Sequence, residues 1–465
     1  MERYDLAVIG AGPAGTSAAE VAAAFGRRAV VIERNRPGGV VTTTGGAPTK
    51  TLREAALYLT GFGLEEVYGV RQALPLAETL AIIEKRVLQV RDRLQRTAAE
   101  RLDALGVDYM RGSAVLGPDG AIVVTPAEGL PRSITASAVV VATGSRPARP
   151  AGIPFDDPDV YDSDEIHTLR TAPSDVVVVG GGAIGVEFAT VFTALGIPVT
   201  LVNQADRLLP SLDGELATLL AGELARRGVR VLSGAGVDEV ARVDGRLTVM
   251  PSTGRPIATG AVLVAAGRTP NTDGLGLADV GIEVDGRGRI VVDRYHRTTA
   301  SRIYAAGDVT GTGLASTAMQ QGRAAACHAC GLMFGVTIDR LASTAVYGVP
   351  EVAGVGLTEE EARAADLPYA VGRCDLAVTT RGAIAGHGGL LKLVFRADDR
   401  RLLGVHCIGD IASEMVGLGH AALHAGWPVE QLLALGLNTP TYGYAYHDAA
   451  VDGLAHLAGR IGARA

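Results

Sequence analysis

"YDLAVIGAGPAGTSAAEVAAAFGRRAVVIER", residues 4 to 34, decides the fold. An apolar strand runs into Gly10-x-Gly12-x-x-Gly15, an alanine-rich helix follows, and a second apolar strand ends at Glu33. Each glycine has a task. Gly10 permits the tight turn, Gly12 lets backbone amides approach a pyrophosphate at the helix N-terminus, and Gly15 lets helix and strand pack closely. Glu33 stands where an acid accepts hydrogen bonds from an adenosine ribose. The architecture recurs in "DVVVVGGGAIGVEFATVFTALGIPVTLVN", residues 175 to 203, with Gly180, Gly182 and Gly185. Two dinucleotides are therefore expected. The second copy ends at Asn203 instead of an acid, with Arg207 just beyond. A neutral Asn203 does not repel a ribose 2′-phosphate and Arg207 offers it a partner, so NADP as well as NAD fits, unless Arg207 is only a solvated surface residue.

The rest of the chain is consistent with a multidomain α/β protein. Its 465 residues allow about three domains. Its 61 glycines and 48% hydrophobic residues imply many strand-to-helix turns and no disorder. A net charge of −7 is spread along the chain. The arginines from Arg86 to Arg101 alternate with Glu84, Asp92 and Glu100, which reads as a solvated helix face and not a nucleic-acid footprint. Apolar residues every three or four positions predict an amphipathic helix over Glu78 to Gly106. The amino terminus enters a strand directly, and the longest apolar stretch, Val176 to Val202, is broken by Glu187 and glycines, so the expectation is a cytoplasmic protein with no membrane segment. The four cysteines make no secreted disulfide framework, and Cys327 and Cys330 read as small buried helix residues. His420 and His424 lack a third ligand nearby in sequence, so no metal is expected.

Further stretches, "VVVATGSRPARP" (139 to 150), "VLVAAGRTPNT" (262 to 272) and "RIYAAGDVTGTGLASTAMQQGRAAA" (302 to 326), repeat a strand followed by small residues. With these the chain resembles, from end to end, the pyridine nucleotide-disulfide oxidoreductases. The resemblance implies two Rossmann-like domains and a C-terminal α+β interface domain. FAD is expected on residues 1–149 and 276–340, NAD(P) on 150–275, and dimerisation through 341–465. It also implies a homodimer. Carried over by motif, the cofactor contacts are Gly10, Gly12, Pro13, Ala14, Gly15, Glu33, Arg34, Gly39, Thr42, Lys50, Ala114, Thr143, Gly144, Gly267, Gly307, Asp308, Ala315 and Ser316, with Gly180, Gly182, Ile184, Gly185, Glu187, Asn203 and Arg207 for the nicotinamide nucleotide.

In the disulfide-reducing members the loop "GGVVTTTGGAPTK", residues 38 to 50, carries two cysteines, which fall here on Val41 and Gly46. Neither residue forms a disulfide or a thiolate, so disulfide-reductase chemistry is not expected. The family's C-terminal base and its orienting acid fall on Thr439 and Tyr444. What remains is Lys50 and Glu187, which match a salt bridge beside the flavin N5. Within the family the likeness is strongest to the soluble pyridine nucleotide transhydrogenases, which implies exchange of hydride between NADPH and NAD. The second reading is an NAD(P)H-dependent flavin reductase or oxidase serving a quinone, oxygen or another small acceptor, with Tyr442, Tyr444 and Tyr446 of the partner facing the flavin. A third is a nucleotide-sensing scaffold.

Overall fold

The computed structural model describes residues 2–69, 74–118, 120–169, 171–311, 313–332 and 341–459; the boundary expected at 340 lies outside them. The opening stretch folds as read. Strand Glu2–Ile9 leads through the glycine turn into helix Pro13–Ala24 and returns as strand Ala29–Glu33, parallel to the first. Strand Asp108–Arg111 extends the sheet on one side and Arg132–Val141 on the other, with Ile303–Ala305 parallel to the latter. Strands Ala121–Thr125 and Ser113–Leu116 complete the seven as an antiparallel meander. The central strands are apolar on both faces, as a parallel sheet covered on both sides requires.

A second sheet has strand Val176–Val179 at its centre. Val199–Asn203 and Arg230–Ser233 lie on one side, Ala261–Val264 and Val160–Asp162 on the other, all parallel. The chain enters and leaves this unit through Ser145–Pro147 and Arg268–Pro270, which pair antiparallel and join the two sheets. A third sheet of five antiparallel strands, from Thr344–Val346 to Leu402–Gly409, is backed by helices Ala412–His424 and Ala445–Leu457.

The predicted amphipathic helix spans Leu76–Ala104, and Ile83, Val87 and Leu102 are buried on its inner face. It packs beside helix Ala47–Thr60. Helix Pro13–Ala24 lies so close to helix Ala315–Ala329 that a Cβ on Gly322 would stand 2.0 Å from the Ala14 carbonyl oxygen. Small residues there bring these two helices into backbone contact. Among the described residues, no helix is long and apolar enough to cross a membrane.

Candidate active site

One cavity of about 1560 Å³ runs from the first glycine turn to the head of helix Ala183–Ala194. Its floor is the turn itself. Gly10 has φ +106°, and a Cβ there would meet the Ala142 carbonyl oxygen at 2.3 Å. The N-terminus of helix Pro13–Ala24 has no side-chain cap and no acid in its first turn, leaving backbone N–H groups for an anion. Glu33 lines the cavity and is fixed by the N–H groups of Ala11 (2.8 Å) and Asn35 (2.9 Å), which donate to its carboxylate. Asp308 also lines the cavity and accepts from the Ser145 hydroxyl at 2.6 Å; Arg268 donates to the same hydroxyl at 2.8 Å and pairs with Asp164 at 3.2 Å.

Of the residues expected at a cofactor, the cavity wall contains Gly10, Gly12, Pro13, Ala14, Glu33, Arg34, Gly39, Lys50, Ala114, Thr143, Gly144, Ile184, Glu187, Gly307, Asp308, Ala315 and Ser316. Gly15 packs beneath it, where a Cβ would overlap the Gly10 carbonyl oxygen. Thr42 is buried behind the wall, its hydroxyl turned to the Gly39 carbonyl at 3.3 Å. Sequence reading missed Arg36, Arg91, Gln95 and Arg111, which add polar groups to the wall, and Ser145, Arg268, Tyr347 and Ser413. Gln95 sits on the inner face of the long helix, and its polar break in the apolar stripe was the signal that could have found it.

The loop of residues 38 to 46 lies directly on the glycine turn. The Gly38 N–H donates to the Ala11 carbonyl at 2.7 Å, and a Cβ on Gly39 would stand 2.7 Å from the Gly12 Cα. Val41, Gly46, Thr43 and Thr44 line the cavity, and the Thr44 hydroxyl is buried there without a hydrogen-bond partner. Among the described residues lining the cavity there is no cysteine. Cys327 is buried on helix Ala315–Ala329 and raised by that burial, while Cys330 caps the helix half-buried and is pushed up to about 11, first by desolvation.

Lys50 and Glu187 meet across the cavity wall. The Lys50 ammonium donates to both carboxylate oxygens of Glu187, at 2.9 and 2.7 Å. Glu187 is 6% exposed and also accepts the Tyr347 N–H at 3.0 Å, so groups from three parts of the chain converge on it. Beside them Ala183 and Ile184 begin a helix whose N-terminus is again uncapped, with Gly182 before it. Gly180 has φ +114° and Gly185 packs against its carbonyl, repeating the first turn. Gly267 stands next to Arg268–Pro270 at the crossover, with φ +108°.

Two expectations need correction. Arg207 does not stand free for a phosphate: its guanidinium pairs with Glu360 at 3.0 Å and donates to the carbonyls of Pro210 and Leu212, each at 3.2 Å. Asn203 is buried and satisfied within its own loop, accepting from the Gly181 N–H at 3.1 Å and donating to Ala205 and Arg207 carbonyls at 2.8 and 2.9 Å. The tyrosines also divide. Tyr446 is fully buried, its hydroxyl donating to the Met415 carbonyl and accepting the Gly419 N–H, and Tyr442 is buried beside it. Tyr444 and Thr439 are exposed at the surface of the chain, away from the cavity wall. Helical register decides this, because Tyr446 falls on the core-facing side of helix Ala445–Leu457.

The glycine cradles, uncapped helix ends, Glu33 and Asp308 fit FAD in the large cavity and a nicotinamide nucleotide against the second turn. Comparisons agree. The model of the pyridine nucleotide-disulphide oxidoreductases matches residues 4–322, and that of their dimerisation domain matches 342–450, in keeping with a homodimer. A soluble pyridine nucleotide transhydrogenase of Mycobacterium tuberculosis (strain ATCC 25177 / H37Ra) is 41% identical, covering 97% of this chain and 97% of the relative. Another from Marinomonas sp. (strain MWYL1) is 37% identical, covering 97% and 98%. Among solved structures, LpdA from Mycobacterium tuberculosis superposes with a TM-score of 0.89 at 30% identity, covering 97% of this chain and 99% of that one. The HOCl-induced flavoprotein disulfide reductase RclA from Escherichia coli gives 0.86 at 27%, with 96% and 99% covered. The chain belongs to the pyridine nucleotide-disulphide oxidoreductase family, enzymes that use FAD and NAD(P)H.

Proposed function

We propose that this chain is a pyridine nucleotide transhydrogenase of the cytoplasm, moving hydride from NADPH to NAD in one nicotinamide pocket. The observation that carries the reading is an intact Lys50–Glu187 pair in a cavity whose thiol positions hold Val41 and Gly46. When bound, FAD supplies the chemistry that accepts hydride from one nicotinamide and returns it to the next. Residues 1–149 with 276–340 hold that cofactor, 150–275 hold the nucleotide, and 341–465 pair two chains.

Within this reading the Lys50 ammonium places positive charge where negative charge develops as hydride arrives, and Glu187 keeps it there. Glu33 holds the adenosine ribose, Asp308 the ribityl chain, and the two uncapped helix ends the pyrophosphates. Asn203 is neutral, so the nucleotide site carries no carboxylate at the end of its second strand to repel a 2′-phosphate. Thr439 and Tyr444 approach the partner's site from the dimer interface.

Anaerobic rapid mixing tests the proposal. NADPH should bleach the flavin, and NAD should restore its absorbance at a rate that matches turnover. Bleaching reversed by a quinone or oxygen but not by NAD would replace the transhydrogenase with a reductase or oxidase of a small acceptor.

A further inference from the structure

We propose that Tyr347 is a positioning residue for Lys50. It follows the short strand Thr344–Val346 and brings two groups to the Lys50–Glu187 pair. Its backbone N–H holds one Glu187 oxygen at 3.0 Å, and the Lys50 Nζ lies over its ring, 4.8 Å from the centroid. Buried Arg53 anchors the adjoining backbone by donating to the Gly348 carbonyl at 3.2 and 2.9 Å. The phenol is raised by burial first and by the nearby Glu351 carboxylate, so it is neutral around pH 7 and presents an uncharged ring.

A lysine ammonium on four methylenes is not held by one carboxylate alone. Glu187 takes two of its directions, while the ring face of Tyr347 bounds another, so the amine is confined at the cavity wall. The effect of a point charge on charge developing nearby falls with distance, which makes that confinement matter to the rate. Cation–π contacts of this kind correspond to a factor of roughly 2 to 30 in an equilibrium or rate. The inference rests on Lys50 serving hydride transfer from NADPH, whatever the final acceptor.

The test compares Tyr347→Leu with Tyr347→Phe in the flavin-loaded protein through three readouts: flavin bleaching by NADPH, the flavin midpoint potential, and acylation of Lys50 in the resting protein, followed by peptide mass spectrometry. Tyr347→Leu should slow bleaching by about 5- to 30-fold, shift the potential to more negative values and increase Lys50 acylation. Tyr347→Phe keeps the ring face over Lys50 and loses only the hydroxyl's hydrogen bond to Ser413, so it should restore all three to within about twofold. Unchanged bleaching and acylation in Tyr347→Leu would overturn the proposal, and so would a Tyr347→Phe variant as slow as the leucine one. Failure of NAD to reoxidise the wild type would sink the transhydrogenase reading while leaving this comparison, made on bleaching alone, decisive.

Discussion

Restoring the cysteines should not restore a redox disulfide. In the double variant Val41→Cys/Gly46→Cys, the new Cβ at position 46 would stand 2.6 Å from both the Cα and the carbonyl oxygen of Val41. These are backbone atoms, so no rotamer relieves the contact. Adding a Cα–Cβ bond of about 1.5 Å, the two Cα atoms are at most ~4.1 Å apart, below the ~4.4 Å lower bound for a disulfide. The turn between helices Gly39–Thr43 and Ala47–Thr60 would have to open, and it is pinned by the Gly45 and Gly46 N–H groups donating to the Val40 carbonyl at 2.9 and 3.3 Å. Overpacking of this kind costs about 1–3 kcal/mol, or a fall in melting temperature of ~2–10 °C. Thermal melting, thiol titration of the denatured protein and disulfide-reductase assays would check it. Quantitative disulfide formation with an unchanged melting temperature would refute the argument.

Other outcomes follow from the same geometry. Glu187→Gln removes the charge facing the Lys50 ammonium and should slow flavin bleaching by NADPH roughly 10-fold or more, measured by rapid mixing, with flavin content retained. Asn203→Glu places a carboxylate at the end of the second strand and should raise the KM for NADPH about 10-fold relative to NADH in steady-state kinetics. Because Cys330 is raised to about 11 and Cys327 is also raised, both thiols stay protonated at neutral pH and titrate only in strong alkali. Iodoacetamide at pH 7 should therefore leave activity intact, and thiolate labelling should rise only as pH approaches 11. Burial alone would raise the Asp213 carboxyl, but the buried Lys392 ammonium 3.0 Å away more than reverses this and holds it below its ordinary range. Its contribution to stability is present above the unfolded carboxylate pKa and is lost as pH falls through the lower folded value; Asp213→Asn should flatten that acid limb in pH-dependent melting.

Both glycine turns were legible in the sequence because their requirements are local: a strand, a turn with no room for Cβ, and a helix end. Lys50 and Glu187 are 137 residues apart and came only from resemblance. Arg207 was misread for the complementary reason. Its neighbours in sequence place it at the ribose loop, but Glu360, 153 residues away, arrives from the third sheet's unit and claims the guanidinium. Sequence adjacency shows what a side chain is near on its own loop, not what another domain delivers to it. The same limit hid Tyr347, which follows a three-residue strand in a loop with no periodicity to mark its ring as cavity-facing.

The loss of the thiols and the survival of Lys50 are physically independent, which explains how one chain shows both. The thiol positions lie on the turn and the helix start around Val41 and Gly46, whereas Lys50 is set by helix Ala47–Thr60, whose first turn is fixed by Pro48 and by the Lys50 N–H donating to the Gly46 carbonyl at 3.2 Å. Glycine at 46 supplies that carbonyl as well as cysteine would. Glu187 lies on the first turns of helix Ala183–Ala194, whose N-terminus is uncapped, so in the proposed function nucleotide binding and Lys50 orientation depend on one rigid element. A chain can thus discard the exit for electrons without disturbing the arrival of hydride. Among the described residues no thiol lines the cavity, so the proposed transhydrogenation returns hydride to a second nicotinamide without needing one.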